Sequence, residues 1–317
     1  MFHLVGNLLS PAGHHGRLSI LTYHRARAAP DPLLHDEIDA ATFEKHMALL
    51  RMEFNVLSLG EACARLARGA LPSRAACITF DDGYADNEQI ALPILKRYGL
   101  PATFFVSTGF SEGGIMFNDG IIEAVRRAPG GTYDLTSLGL GTQSLGDHTS
   151  RRTAINSLID QLKYRPVSER WAMVVQLAAA MRSTLPENLM MRPAQIKRLH
   201  DEGMEIGSHT VNHPILAMLD DEDARSEIIG GKRQLEDITG APVTLFGYPN
   251  GKPGQDYGPR DVVLVKKAGF AAAVSTVSGV ASRNSDLFQL PRFGPWDRSP
   301  RRLGLRLLYM CARSASA

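Results

Sequence analysis

The run Ile78-Thr-Phe-Asp-Asp-Gly-Tyr84 ends an apolar stretch in two adjacent carboxylates and a glycine. Such a stretch suits a buried parallel strand, and the carboxyl end of such a strand is where α/β enzymes hold their chemistry. Neighbouring side chains point in different directions, so Asp81 and Asp82 can do different jobs. Gly83 lets the chain turn sharply after them. Read alone, the pair also fits a helix N-cap with a solvated neighbour. The second chemical signal is His209-Thr-Val-Asn-His213, again after an expected strand. A spacing of four predicts both imidazoles on one side of a helical turn, as two-histidine metal sites require, though it also describes two polar loop histidines. One carboxylate and two imidazoles would leave positions on a metal open for water and substrate.

The 317-residue chain has ordinary globular composition, 44% hydrophobic and 21% charged. It suits one large domain with a sizeable insertion. A formal charge of +2 gives no reason to expect nucleic acid. Three cysteines cannot form a disulfide framework, and Cys77 reads as a small core residue. No stretch reaches the ~20 apolar residues of a membrane span. Met1 to Ser10 makes a poor signal peptide, which predicts a cytoplasmic protein or one on the cytoplasmic membrane face.

The elements that must position these residues read as alternating strands and helices. Strands are expected at Leu18–His24, Asn55–Leu59, about 75–80, Pro101–Val106, Met204–Ser208, Val243–Tyr248, Ala271–Thr276 and Leu287–Phe293. Helices are expected after Thr42 as N-cap, from Ser58, and over Asn87–Tyr98, Pro193–Glu202, Glu222–Thr239 and Arg260–Ala268. Strand, helix, strand in that order implies parallel pairs with right-handed crossovers. About 110–200 breaks the alternation, with helices near 119–127, 153–162 and 168–182 around a Gly/Ser-rich excursion. That stretch reads as an insertion that shapes the substrate groove or acts as a structural lid.

Thr79-Phe-Asp-Asp-Gly83 and Ser208-His-Thr-Val-Asn-His-Pro214 resemble the first two motifs of the NodB-type polysaccharide deacetylases, carbohydrate esterase family 4. The resemblance covers most of 18–293. It implies an α/β fold, a distorted (β/α) barrel of about seven strands, and metal-dependent removal of N-acetyl groups from a poly- or oligosaccharide. It assigns Asp81 as general base and Asp82, His209 and His213 as ligands of a divalent metal. Zinc is the default, with iron, cobalt or nickel also suited to this ligand set.

The family's third motif, Arg-Pro-Pro-Tyr-Gly, corresponds here to Gly247-Tyr-Pro-Asn-Gly251, so the arginine that steadies the base is missing. Tyr-Pro-x-Gly is similar to the subgroup acting on exopolysaccharides. Tyr248 and Asn250 are therefore expected at the substrate or oxyanion site, Asn250 through a backbone N–H. The family's last motif supplies a histidine near the C-terminus, but none follows His213. In that subgroup the motif moves to the N-terminus as Tyr-His, which Tyr23-His24 matches, so His24 is the expected general acid. A buried strand-end histidine is the alternative.

Arg292 is expected either to replace the lost arginine on Asp81 or to lie at the surface, and Trp296 either to stack on a sugar or to pack in the core or lid. Thr103, Asn118 and Asp119 are set aside. The tail 298–317, rich in arginine and leucine, reads as an interfacial helix on anionic lipid or a packed terminal helix. The partner expected is an N-acetylated glycan. An O-acetyl esterase, an amidase on another substrate and a non-catalytic glycan-binding domain are the rival readings.

Overall fold

The computed structural model describes residues 2–35 and 37–313. Seven parallel strands form the frame: β1 (Leu18–Tyr23), β2 (Ala75–Phe80), β3 (Thr103–Val106), β4 (Glu205–Ser208), β5 (Leu245–Gly247), β6 (Ala272–Ser278) and β7 (Leu290–Arg292). They pair in sequence order, and a two-residue strand, Asn55–Val56, adds to the start of β2. The barrel nearly closes where β1 meets the end of β7, through Thr22 N–H to Phe293 O and Phe293 N–H to Ile20 O, both 3.1 Å.

The central strand β2 is buried along its whole length. Strand side chains alternate between faces, and the two faces feed two separate cores. Leu18, Ile20, Cys77, Phe105, Leu245, Val274 and Leu290 fill the barrel. Leu21, Tyr23, Ile78, Phe80, Phe104 and Phe246 face the surrounding helices. On that outer face Tyr23, Phe80 and Phe104 stack in series at 5.4 and 4.8 Å. The inward register continues past β2 through Thr79 to Asp81, which places this carboxylate over the barrel mouth.

The helices are α1 (Phe2–Leu9), α2 (Ala40–Glu53), α3 (Leu59–Ala67), α4 (Leu92–Tyr98), α5 (Phe117–Arg127) and α6 (His148–Leu162). They continue with α7 (Val167–Ala180), α8 (Pro193–Asp201), α9 (Asp221–Thr239), α10 (Pro259–Lys267) and α11 (Pro300–Arg313). Asp39, not Thr42, caps α2: its carboxylate accepts the Thr42 N–H at 2.7 Å. An aspartate already in extended backbone three residues upstream takes the role that the threonine was expected to fill. Ser58 caps α3, which closes the amino-terminal end of the barrel, its Gly60 N–H bonded to Glu205 at the start of β4. The helix expected from Asn87 begins with a π-turn over Asn87–Ala91 and becomes regular only at Leu92. Asn87 also donates its side-chain N–H to His24 O at 2.9 Å, tying this turn to the end of β1.

The stretch between β3 and β4 builds a core of its own. α5, α6 and α7 and the hairpin Gly131–Asp134/Thr142–Leu145 bury Ile121, Val125, Leu145, Leu158, Leu177 and Met181 together. Tyr84 pins this unit to the barrel by donating its hydroxyl to Asp119 at 2.9 Å. The C-terminal helix α11 buries Leu303, Leu307 and Cys311 and contacts α1 and α2. The last four residues of the tail lie outside the described residues. No described helix is long and apolar enough to cross a membrane.

Candidate metal and acyl-transfer site

The loops at the carboxyl ends of the strands bring Asp82, His209 and His213 together, with donor atoms within 4.8 Å of one another. Asp82 Oδ1 lies 3.5 Å from His209 Nε2 and 3.4 Å from His213 Nε2. Two ligands each about 2.1 Å from one ion stand that far apart at a near-tetrahedral angle. His209 Nδ1 sits 2.7 Å from Gly247 O. As donor to that carbonyl it leaves the Nε2 lone pair facing Asp82, as metal-ligating histidines usually do. Burial lowers both imidazoles to about 4, so they are neutral, ligand-ready bases at neutral pH. The residues present therefore fit a divalent cation with nitrogen and oxygen ligands.

The backbone that achieves this is not the helical turn the four-residue spacing predicts. Thr210 and His213 both have left-handed φ, 68° and 51°, and the chain after β4 runs as a bent loop. The two rings still meet, 4.8 Å between centroids, because the loop is clamped from outside. Glu227 on α9 accepts the Val211 and Asn212 N–H groups at 2.9 and 2.8 Å and the Asn212 side chain at 2.7 Å. Asp82 (φ 74°) and Asn250 (φ 58°) are left-handed too. Four of the six non-glycine residues with positive φ among the described residues thus lie in the site's loops. Strain held by surrounding structure is a frequent mark of functional loops.

Asp81 takes no part in the three-ligand cluster. Arg292 grips it through two hydrogen bonds of 2.7 Å, one to each carboxylate oxygen, and Thr22 adds a third at 3.4 Å. Arg292 is fully buried inside the barrel, its guanidinium 5.6 Å from the centre of the Phe105 ring and bonded to Ser275 O and Thr79. It is not a surface arginine. Burial alone would raise the Asp81 carboxyl, but Arg292, His209 and His24 hold it well below the usual carboxylate range. Asp82 differs: burial pushes it above its ordinary value, opposed by His24 and His209. Adjacent carboxylates are thereby given different electrostatic settings.

His24, directly after β1, is exposed at the rim, not buried in the strand end. It lines a small hollow with Thr22, Arg25, Glu37 and Trp296. Trp296 is 62% exposed there, backed by Arg306 at 5.2 Å from its ring, and does not pack in the core. Asn250 is half-buried in the turn after β5, its carbonyl accepting from Thr276.

Tyr248 corrects the reading of the third motif. Its ring is fully buried and stacked on Tyr257 at 3.8 Å, and its N–H is bonded to Val274 O. The side chain points to the helix layer, the opposite face from Gly247, and cannot touch a substrate.

The structure adds two features to the sequence reading. A cleft of about 490 Å³ runs beside His213, walled by Phe110, Met116, Phe117, Arg170 and Trp171, so α5 and α7 shape the approach to the site. Asp119, buried under it, is pushed up to about 7 by burial, with Asp82 adding and Arg25 opposing. It is one of the three residues set aside in the sequence, where its burial could not be read.

Comparison with known proteins agrees with this geometry. A family model described as polysaccharide deacetylase matches residues 68–273. YxkH of Bacillus subtilis strain 168, whose polysaccharide deacetylase designation is provisional, is 24% identical over 278 residues, 87% of this chain and 70% of its own. Streptococcus pyogenes deacetylase PplD, solved in complex with acetate, superposes with a TM-score of 0.64 at 20% identity, covering 92% of this chain and 98% of that one. IcaB from Ammonifex degensii gives 0.60 at 18% identity, covering 96% and 98%. At such identities the solved structures show a shared fold.

Proposed function

The chain belongs to the polysaccharide deacetylase family, and from that premise we propose that it is a divalent-metal-dependent hydrolase removing N-acetyl groups from a poly- or oligosaccharide. The observation that carries the reading is the division of labour at 81 and 82: one carboxylate faces two neutral imidazoles, and its neighbour is held ionised by Arg292 outside that cluster. Asp82, His209 and His213 would hold the metal. When bound, zinc or a comparable ion supplies Lewis acidity, polarising an acyl carbonyl and lowering the pKa of a water at its open position. Asp81, kept anionic, has lone pairs free beyond its arginine contacts and accepts the proton of the attacking water. His24, exposed at the rim, delivers a proton to the leaving nitrogen, which an amide requires more than an ester does. Trp296 offers a sugar an exposed aromatic face, and the turn after β5 offers the Asn250 backbone N–H to the acyl oxygen.

PplD's complex with acetate supports acetyl as the group removed. An exopolysaccharide or capsule setting rests on the Tyr23-His24 placement and the Tyr-Pro-x-Gly turn. The test is acetate release from N-acetylated glycans by metal-loaded and chelator-stripped protein. No release from any of them, with metal bound, ends the reading.

The outer face of α11 exposes Arg301, Arg302, Leu305 and Tyr309, and neighbouring α1 exposes Leu4 and Leu8. A basic and apolar face of this kind suits an anionic lipid surface. Flotation with phosphatidylglycerol vesicles should carry the protein but not a Leu305→Asp/Tyr309→Asp variant; equal flotation refutes the contact.

A further inference from the structure

Arg170, on the first turn of α7, is 6% exposed, yet no carboxylate among the described residues pairs with it. Its Nε donates to Arg165 O at 2.8 Å, and its guanidinium lies 5.0 Å from the centre of the Phe117 ring. The two terminal nitrogens have no acceptor among the described residues, while neither is sealed from solvent. The arginine borders two hollows. One is the 490 Å³ cleft beside His213, and the other, of about 350 Å³, lies behind Pro214 and Tyr164. Glu112, the one acid on the first cleft, is exposed on its rim and out of ion-pair range.

A largely buried cation without a counter-charge is costly to maintain. Every other strongly buried arginine here has a partner that explains it: Arg25 has Asp86 at 2.7 Å and Arg292 has Asp81 at 2.7 Å. A guanidinium placed over an aromatic ring, with its terminal nitrogens free, can make two parallel bonds to a carboxylate or phosphate. Trp171 stands next to it, 42% exposed, as a platform for a sugar ring. His213 joins this cleft to the three-ligand cluster.

We propose that the cleft beside His213 binds an anionic substituent of the glycan, a sugar carboxylate or a phosphate, on Arg170, so that the substrate is an acidic N-acetylated glycan. The assignment rests on the deacetylase reading for the position of the acetylated sugar, and on Arg170 for the charge. Four probes separate the possibilities: neutral chitotetraose and N-acetylglucosamine, a heparosan tetrasaccharide bearing glucuronate, and N-acetylglucosamine 1-phosphate. Their affinities for the metal-loaded protein are measured by calorimetry, and acetate release is followed in parallel.

The expected result is at least tenfold tighter binding of one anionic probe over its neutral counterpart, chitotetraose or N-acetylglucosamine. Which probe gains decides between carboxylate and phosphate. In Arg170→Met that preference falls toward unity, and in Arg170→Lys it is partly kept, because the charge remains and the fork is lost. Equal affinities for neutral and anionic probes in the unmodified protein overturn the proposal without any variant, as does a preference that survives Arg170→Met. Discrimination without acetate release would instead sink the deacetylase reading, and acetate release without discrimination sinks only this one.

Discussion

Replacing Arg292 by methionine keeps most of the side-chain volume and removes the cation that holds Asp81 ionised inside the barrel. Breaking one partner of a buried ion pair costs about 3–5 kcal/mol, because the remaining charge is stranded. At about 2 °C per kcal/mol for a chain of this size, the metal-free protein should melt roughly 6–10 °C lower at pH 7.5. The pH dependence is the sharper test. With Arg292 present, the Asp81 pKa lies below its unfolded value, so the contribution to stability is complete above about pH 4 and is lost as the pH falls further. Without Arg292, burial raises the carboxyl instead. The charge then penalises folding at neutral pH, and protonation relieves the penalty as the pH drops. The gap between the two proteins must therefore be widest at neutral pH and narrow toward pH 4. Differential scanning calorimetry between pH 4 and 8 measures it. A deficit under about 1 kcal/mol at pH 7.5, or one that does not narrow in acid, refutes the argument that this pair governs Asp81.

Asp81→Asn should keep metal binding and lose about 10²–10⁴-fold in acetate release, while His24→Ala should lose more on an amide than on an ester of the same sugar; equal losses on both would remove His24 from leaving-group protonation. Asp82→Asn and His213→Ala should each weaken metal binding by more than the roughly 10–100-fold typical of outer-shell partners, read by metal analysis after dialysis. In the unmodified protein, metal at 100 times its Kd should add about 2.7 kcal/mol of stability, and a melting point indifferent to metal would contradict the site. Asp119, held near 7 by burial, costs stability as the pH rises from about 4 to about 7. Asp119→Asn, which can still accept from Tyr84, should remove that decline, so its advantage over the parent grows across this window; a constant difference would show that Asp119 does not titrate there.

The barrel was legible because its strands announce themselves twice, by apolar runs and by chemistry at their carboxyl ends. Asp81, Asp82 and the two histidines follow β2 and β4, and their roles could be set out from type and order. What order could not carry was direction. Tyr248 sits one residue from inward-facing Gly247, and strand alternation sends its ring into the helix layer, so a motif position was mistaken for a contact. The histidine loop misled in the other way: the spacing looked helical, but the loop is set by Glu227, sixteen residues from Val211 on another element. Arg170 goes unmarked in the sequence, and Asp119 is noted there only to be set aside, because nothing local marks a residue whose meaning depends on what fails to pair with it, or on how deeply it is buried.

Gly247 stands where the family pattern has its arginine. A methyl group built there would meet His209 Nδ1 at 3.0 Å and the Phe105 ring at 3.2 Å. The space a side chain would need is already taken by the histidine that faces Asp82 and by the ring beneath Arg292. The two ways of steadying the aspartate thus compete for the same interior space. An arginine introduced at 247 would press on His209 and Phe105, and removing Arg292 alone would strand the Asp81 charge. Steadying Asp81 from position 247 instead of through Arg292 would thus require repacking around His209 and Phe105 as well.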